Sequence, residues 1–327
     1  MRTIDADAGL PTAVQVCFIV PSFNRPEYLR RCLASIAAQS VSPAVVLAGL
    51  RADDEASRAI VAEWETRLPV QAVVANGVGV IGSMSSCLAH AKGEFIALID
   101  DDVELPPEWL EKMLGHLASH PKALAAAGRD LLQDHPEMRR EEHRVLDVGS
   151  VHWYGRITGN HHRGGGGARF VDVLRGSNCL FRGAFLREAG FEKRLRGKGA
   201  QVNWELALAF QAMRRGARLF YDPQVEVIHH VAPRADADVL HRGGYDTEAT
   251  KDQAFNESFA AAAHAPGWRR FAVLTYQFCA GSPLAPGLAH FLKRALQGDP
   301  HLLARTRATV SGRLQAITLA ARHTYES

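Results

Sequence analysis

The sequence predicts an α/β fold built on an open, mostly parallel sheet with helices flanking both faces, and three observations carry that prediction. Through the first hundred residues, short apolar runs alternate with amphipathic stretches. The apolar runs stop abruptly on polar clusters. Hydrophobic residues make up 47% of the chain against 22% charged, enough to cover both faces of a sheet.

The elements follow in order. Residues 14–20 (VQVCFIV) form a compact apolar run ending at Pro21, as a strand buried on both faces would. Over 26–39 the period changes: Leu29, Cys32, Leu33 and Ile36 recur at helical spacing, with Arg30 and Arg31 opposite. Residues 44–48 predict a second strand, 56–68 a second helix, and 70–75 a third strand. A small-residue helix over 83–91 precedes a fourth strand, 95–99 (FIALI), which runs into three aspartates. The second half is less regular. Residues 145–157 and 170–174 read as strands around a glycine-rich loop at 164–167, and 177–182 as a short strand. Asn203 reads as the N-cap of a helix whose apolar face is Leu206, Phe210 and Met213. A last strand near 225–228 leads into His229 and His230, and a charged linker over 234–246 gives way to helices. The predicted organisation is one domain over 12–234, with halves meeting near 104, then a linker and helical extension over 235–327.

Bulk properties exclude several classes. The net charge is +3 with no basic stripe, which argues against nucleic acid as a partner. Five scattered cysteines without CxxC spacing fit a reducing cytoplasm better than a disulfide or zinc scaffold. Residues 1–11 lack the apolar stretch of a secretion signal, and no apolar run reaches the ~20 residues that span a bilayer. The expectation is a cytoplasmic protein. The tail beyond Trp268 mixes aromatics, aliphatics and arginines. It suits helices packed on the main domain or a partner, or a peripheral contact with a membrane.

Ligands of open α/β sheets bind at the carboxyl ends of the strands. Three polar clusters fall there: Pro21-Ser22-Phe23-Asn24-Arg25, Arg51-Ala52-Asp53-Asp54 and Asp100-Asp101-Asp102. Three consecutive aspartates repel one another unless a cation intervenes. A hard divalent metal shared with a diphosphate answers that need; so would a solvated helix start, since Pro106-Pro107-Glu108 opens the next helix. His229 or His230 would complete a metal shell if the last strand lies beside the fourth. Asn160, His161 and His162, beside the glycine-rich loop, suit either a lid over the ligand or a mobile surface loop.

These segments carry a resemblance. Residues 16–40 (VCFIVPSFNRPEYLRRCLASIAAQS) resemble the opening strand and helix of glycosyltransferase family 2, the inverting family with the GT-A fold. Lys92-Gly93-Glu94-Phe95 through Asp100-Asp101-Asp102 to Pro106 is similar to its metal-binding DxD segment. Residues 176–182 (GSNCLFR) resemble the strand beside its acceptor site, and 199–214 (GAQVNWELALAFQAMR) its acceptor-side helix. Tyr221-Asp222-Pro223 to His229, then Pro233-Arg234, resemble its closing strand.

The resemblance implies a GT-A-like, Rossmann-type sheet and a metal-dependent transfer of a sugar from a nucleotide diphosphate donor, UDP by the family's habit. The acceptor would be a hydroxyl on a saccharide, a lipid-linked molecule or another compound. Asp100 and Asp102, or Asp101 in their place, would meet the ribose and a Mn2+ or Mg2+ ion, with His229 as the other metal contact. Asp53 or Asp54 would bond the base. Pro21, Ser22, Asn24 and Arg25 would line the nucleotide pocket, and Asn178 would join the donor contacts. Two departures stand out. Asn203 occupies the place of the family's general base and cannot take a proton, which leaves Glu205 as the nearest carboxylate. Ser85-Ser86-Cys87 replaces the family's asparagine and glycine. The departures keep a non-enzymatic scaffold subunit open as a rival. A nucleotidyltransferase would want a glycine-rich phosphate loop after the first strand, and PSFNRPEY is not one.

Overall fold

The computed structural model describes residues 15–233 and 245–324. The N-terminal residues, Arg234 and most of the expected linker lie outside the described residues.

β1 (Val16–Pro21) has its first five side chains fully buried. α1 (Pro26–Ala37) starts on a proline whose fixed φ suits a first turn, and buries the Leu29, Cys32, Leu33 and Ile36 stripe. β2 (Val45–Leu50) is followed by α2 (Glu55–Trp64), capped by Asp54, which accepts from the Ser57 amide. Then come β3 (Val70–Val74), α3 (Gly79–His90), β4 (Phe95–Ile99) and the two-residue β5 (Val103–Glu104). α4 (Trp109–Ser119) leads to β6 (Ala123–Leu132), and β7 (Ser150–Val151) and β8 (Ile157–Thr158) form a small hairpin. β9 (Arg169–Val171), β10 (Asn178–Arg182), α5 (Gly183–Ala189), α6 (Trp204–Arg214) and β11 (Arg218–His229) complete the sheet region. Four helices follow: α7 (Thr247–His264), α8 (Gly267–Cys279), α9 (Leu288–Leu296) and α10 (Leu302–Thr324).

Among the described residues, nine strands form one sheet in the order β3-β2-β1-β4-β10-β6-β11-β5, with β9 on β11. β1 to β4 pair in parallel, as do β6 and β11, while β10 runs antiparallel to both its neighbours. The expected mixed, mostly parallel sheet flanked by helices is what forms. Alternation along β1 sends Cys17 and Ile19 into one core, and Val16, Phe18 and Val20 into the other. The first core continues without a break into Phe255 and Phe259 of α7 and Ala316 and Ala320 of α10. Among the described residues no helix is long and apolar enough to cross a membrane.

Three expectations need correction. The strand read over 145–157 is only the hairpin β7–β8, because turn-forming Gly155 and half-exposed polar residues interrupt it. A central strand, β6, was not predicted: its alanines favour a helix locally, but the chain buries them between β10 and β11. The last strand starts at Arg218 and does not lie beside β4, since β10 and β6 stand between them. Its N-terminal half is masked in sequence by Pro223 at a register shift between Asp222 and Glu226. Gly128 of β6 faces that irregularity, where an added Cβ would sit 1.9 Å from the Val225 carbonyl oxygen.

Candidate active site

β4 delivers the three aspartates to the carboxyl edge of the sheet, and their side chains diverge. Asp101 turns back under β1: its carboxylate accepts from Ser22 Oγ at 2.7 Å and Arg25 Nη1 at 3.0 Å. Burial pushes its pKa up to about 7, with Arg25 opposing the rise. Asp102 lies 3.7 Å from the same Arg25 Nη1 and accepts from the Ala232 amide at 2.8 Å, with His229 Nε2 at 3.3 Å. Burial works against its charge, yet the bond and charge of His229 hold its pKa down at about 2. Half-buried Asp100 is pushed up by burial and by Asp102.

His229 reaches this group by a route the sequence did not show. β5 follows the aspartates directly and pairs with the end of β11, setting His229 opposite Val103. Asp100, Asp102 and His229 each place one ligand atom within 4.8 Å of the others. Two hard carboxylates and one imidazole fit Mn2+ or Mg2+. Besides burial, Asp102 pushes Asp100 up, and both push Asp101 up, a repulsion that a cation would relieve. His230 points elsewhere, with Nε2 2.7 Å from Glu104.

Two side chains bonded to this group escaped the sequence reading. Asp130, 1% exposed near the end of β6, sits 3.5 Å from His229 Nδ1 and accepts from Ser177 Oγ at 2.6 Å and Arg175 Nε at 2.9 Å. Burial opposes its charge, but Arg175 and His229 keep its pKa far below the usual range. Asp102 and Asp130 together overcome the burial of His229 and lift it to about 10. The signal for Asp130 was present: Arg129-Asp130 ends an apolar run just as the aspartates end FIALI. Arg175 had no such marker, lying in a loop.

Glu205 stands in the first turn of α6 and accepts from the Gly176 amide at 3.2 Å. Gly176 is obligatory there, because a Cβ would lie 1.9 Å from Cζ2 of Trp204. Burial raises the pKa of Glu205, with Asp100 adding to the rise and Arg175 opposing it. Asn203 holds the N-cap position in a left-handed conformation (φ 70), but its side chain makes no capping bond, contrary to expectation. Gln201, also at positive φ, ties the loop before α6 to α3 by accepting from the Ile81 amide at 3.0 Å.

The remaining candidates divide. Pro21, Ser22 and Arg25 lie along the aspartates, and Arg25 Nε also donates to the Pro233 carbonyl at 3.1 Å. Asn24 donates its amide to Asp54 at 2.6 Å, so Asp54 shapes this loop as well as capping α2. Asp53 is exposed and paired with Arg51 at 2.7 Å. Asn178 is buried, accepting from Trp109 Nε1 at 2.7 Å. Of the suggested lid residues, His161 is a core residue, donating to the Val173 carbonyl at 2.9 Å, and Asn160 donates to the Asp147 carbonyl. His162 is half-buried and feels the charges of Arg175 and Asp130, with burial the main cause of its pKa falling to about 4. Ser86 of the departing Ser85-Ser86-Cys87 segment accepts from the Asn76 amide at 2.8 Å.

Comparisons with known proteins agree with this geometry. The chain is 24% identical over 136 residues to the amylovoran biosynthesis glycosyltransferase AmsE of Erwinia amylovora, covering 41% of this chain and 51% of that protein. It thus spans about half the length of the curated relative it matches. Among solved structures, S. aureus TarS 1-349 in complex with UDP-GlcNAc superposes with a TM-score of 0.59 at 14% identity, over 94% of this chain and 83% of that one. The mannosyltransferase PcManGT from Pyrobaculum calidifontis, in complex with GDP-Man and Mn2+, gives 0.53 at 18% identity, over 93% and 86%. Identities this low establish the GT-A-like fold alone. The profile of the family described as glycosyl transferase family 2, however, matches residues 17–182, half of the sequence, and on that match the chain belongs to this family.

Proposed function

We propose that the chain is an inverting, metal-dependent glycosyltransferase that moves a sugar from a nucleotide diphosphate donor to an acceptor hydroxyl. The observation that carries the reading is the meeting of Asp100, Asp102 and His229 at the carboxyl edge of the sheet. Asp100 and Asp102 would hold Mn2+ or Mg2+ with His229, and Asp130 would fix the imidazole from behind. A divalent cation in that position supplies positive charge against the departing diphosphate. Ser22, Asn24, Arg25 and Asp101 shape the nucleotide side, and the exposed Asp53, held by Arg51, is the carboxylate that would bond the base. Asn178 supports the donor pocket from within the core. Glu205, its proton affinity raised by burial, takes the proton of the acceptor hydroxyl as that oxygen attacks the anomeric carbon from the far face. One displacement then inverts the configuration. Asn203 flanks Glu205, and His162, which feels the charges of Arg175 and Asp130, is the lid residue that would meet the ligand.

UDP is the preferred nucleotide of this reading, supported by the UDP-GlcNAc held by the S. aureus neighbour. The acceptor is a saccharide, lipid-linked or other hydroxyl compound, reached on the cytoplasmic side with peripheral membrane contact through the C-terminal segment. The domain reading, a catalytic unit over 12–234 followed by an extension, is part of the same proposal. A thermal-shift panel of UDP, GDP, dTDP and CDP with and without manganese tests the donor class. One nucleotide should stabilise the protein only with metal, by about 2 kcal/mol or more at a tens-fold excess over Kd. In a donor-hydrolysis assay Asp102→Asn should abolish turnover, and Glu205→Gln should lower kcat about 10²–10⁴-fold while the metal-dependent shift persists. Silence from all four nucleotides would favour a scaffold subunit.

A further inference from the structure

α9 is turned the wrong way for a helix that packs on protein. None of its nine residues is buried, and Leu288, Leu292 and Leu296, one stripe at four-residue spacing, are 62%, 55% and 91% exposed. On a helix covering a core that stripe would face inward. The neighbouring surface repeats the pattern. α8 presents Trp268 and Phe271 outward, 57% and 72% exposed. The β7–β8 hairpin docks beside them: Gly155 lies so close to α8 that a Cβ would meet the Ala272 carbonyl at 2.0 Å, and Tyr154 packs 5.9 Å from Tyr276. Its turn holds out Trp153, 75% exposed. Of the fifteen large apolar side chains exposed among the described residues, ten lie on this hairpin and on α8 to α10. A surface this rich in exposed apolar groups marks an interaction site.

Charge identifies the occupant. Residues 265–327 hold eight Lys and Arg against two Asp and Glu, a net +6, whereas the rest of the chain carries −3, and of those eight only Arg305 and Arg313 are buried. Exposed Lys293 stands on α9 with the outward leucines, and exposed Arg307 on α10 with the equally outward Leu303 and Leu314. A second copy would bring the same excess of positive charge to the contact and be repelled. A bilayer with anionic headgroups matches both features, taking tryptophan and phenylalanine at headgroup depth and the basic residues at the phosphates. We propose that the hairpin tip and α8 to α10 form a surface that binds anionic membranes without spanning them. The inference deepens the peripheral contact in the proposed function and rests on that reading. A mechanical link to the catalytic side exists: Asn256 of α7 accepts from the Arg196 amide at 2.7 Å and donates to the Val202 carbonyl at 3.1 Å, gripping the loop that leads to Glu205.

The test is co-sedimentation of the full chain with vesicles of phosphatidylcholine alone or mixed with phosphatidylglycerol. Partition should need the anionic lipid, fall as salt rises, and weaken at least about tenfold in Leu292→Glu with Leu296→Glu, whose exposed positions spare the fold. No partition to either vesicle, or equal partition to both, would overturn the proposal. So would a dimer in solution that the same substitutions split. The metal-dependent nucleotide shift is measured on the same samples. Its survival without vesicle binding sinks the membrane surface alone; its absence with vesicle binding sinks the transferase reading alone.

Discussion

At the scale of single residues, the site is a chain of alternating charges running Arg25, Asp102, His229, Asp130, Arg175. Asp130 is the member with the most leverage, because it fixes which imidazole nitrogen of His229 faces the carboxylates. A carboxylate behind a metal-bound histidine raises its basicity and orients the ring. Asp130→Asn should therefore weaken Mn2+ binding about 10–100-fold in a calorimetric or paramagnetic titration. An unchanged affinity would leave Asp130 a structural partner of Ser177 and Arg175 only. His161 shows the opposite use of a histidine. Burial lowers its pKa from 6.5 to about 4, so the native ring stays neutral while the unfolded ring protonates. Stability is full above pH 6.5 and is lost as pH falls through 4, by about 3 kcal/mol for this group. Melting curves should record that loss, and His161→Gln, which keeps a donor toward Val173, should flatten it. The aspartate triplet, His229 and Glu205 were legible because charged residues at strand or helix ends stand out against apolar runs. The burial of His161 was not legible, whether its segment was read as a lid or as a surface loop, because a histidine among glycines carries no mark of it.

At the scale of elements, β1 to β4 and α1 to α3 were legible because each buried strand is an apolar run closed by turn or polar residues. β6 was not, since ALAAAGRDLL has the composition of a helix and becomes a strand only by tertiary placement. Those alanines matter, as does Gly128 among them. With a Cβ 1.9 Å from the Val225 carbonyl, Gly128→Ala must displace β11 or bend β6. Such overpacking costs about 1–3 kcal/mol. The melting temperature should fall, and manganese affinity with it, because β11 carries His229; a stable variant with normal affinity would show that the irregularity in β11 absorbs the methyl group.

At the scale of the whole molecule, the sheet order was the least legible feature. Sequence brings the histidine to a strand end but says nothing of the two strands inserted before it, nor of β5 bending across to meet it. That bend has a further consequence. The Ala232 amide bonds Asp102 across 130 positions of sequence, and the His230 amide donates to the Asp102 carbonyl at 2.9 Å. A cation held by Asp100, Asp102 and His229 would close this same long loop a second time, as a reversible crosslink binding only the folded chain. At a hundredfold excess over its Kd it would add about 2.7 kcal/mol to stability. Hydrogen exchange should then slow on adding manganese at residues 100–104 and 226–233 but not in α7 to α10, and uniform slowing would disprove the crosslink. A chelator would unfasten one edge of the sheet as well as silence the chemistry.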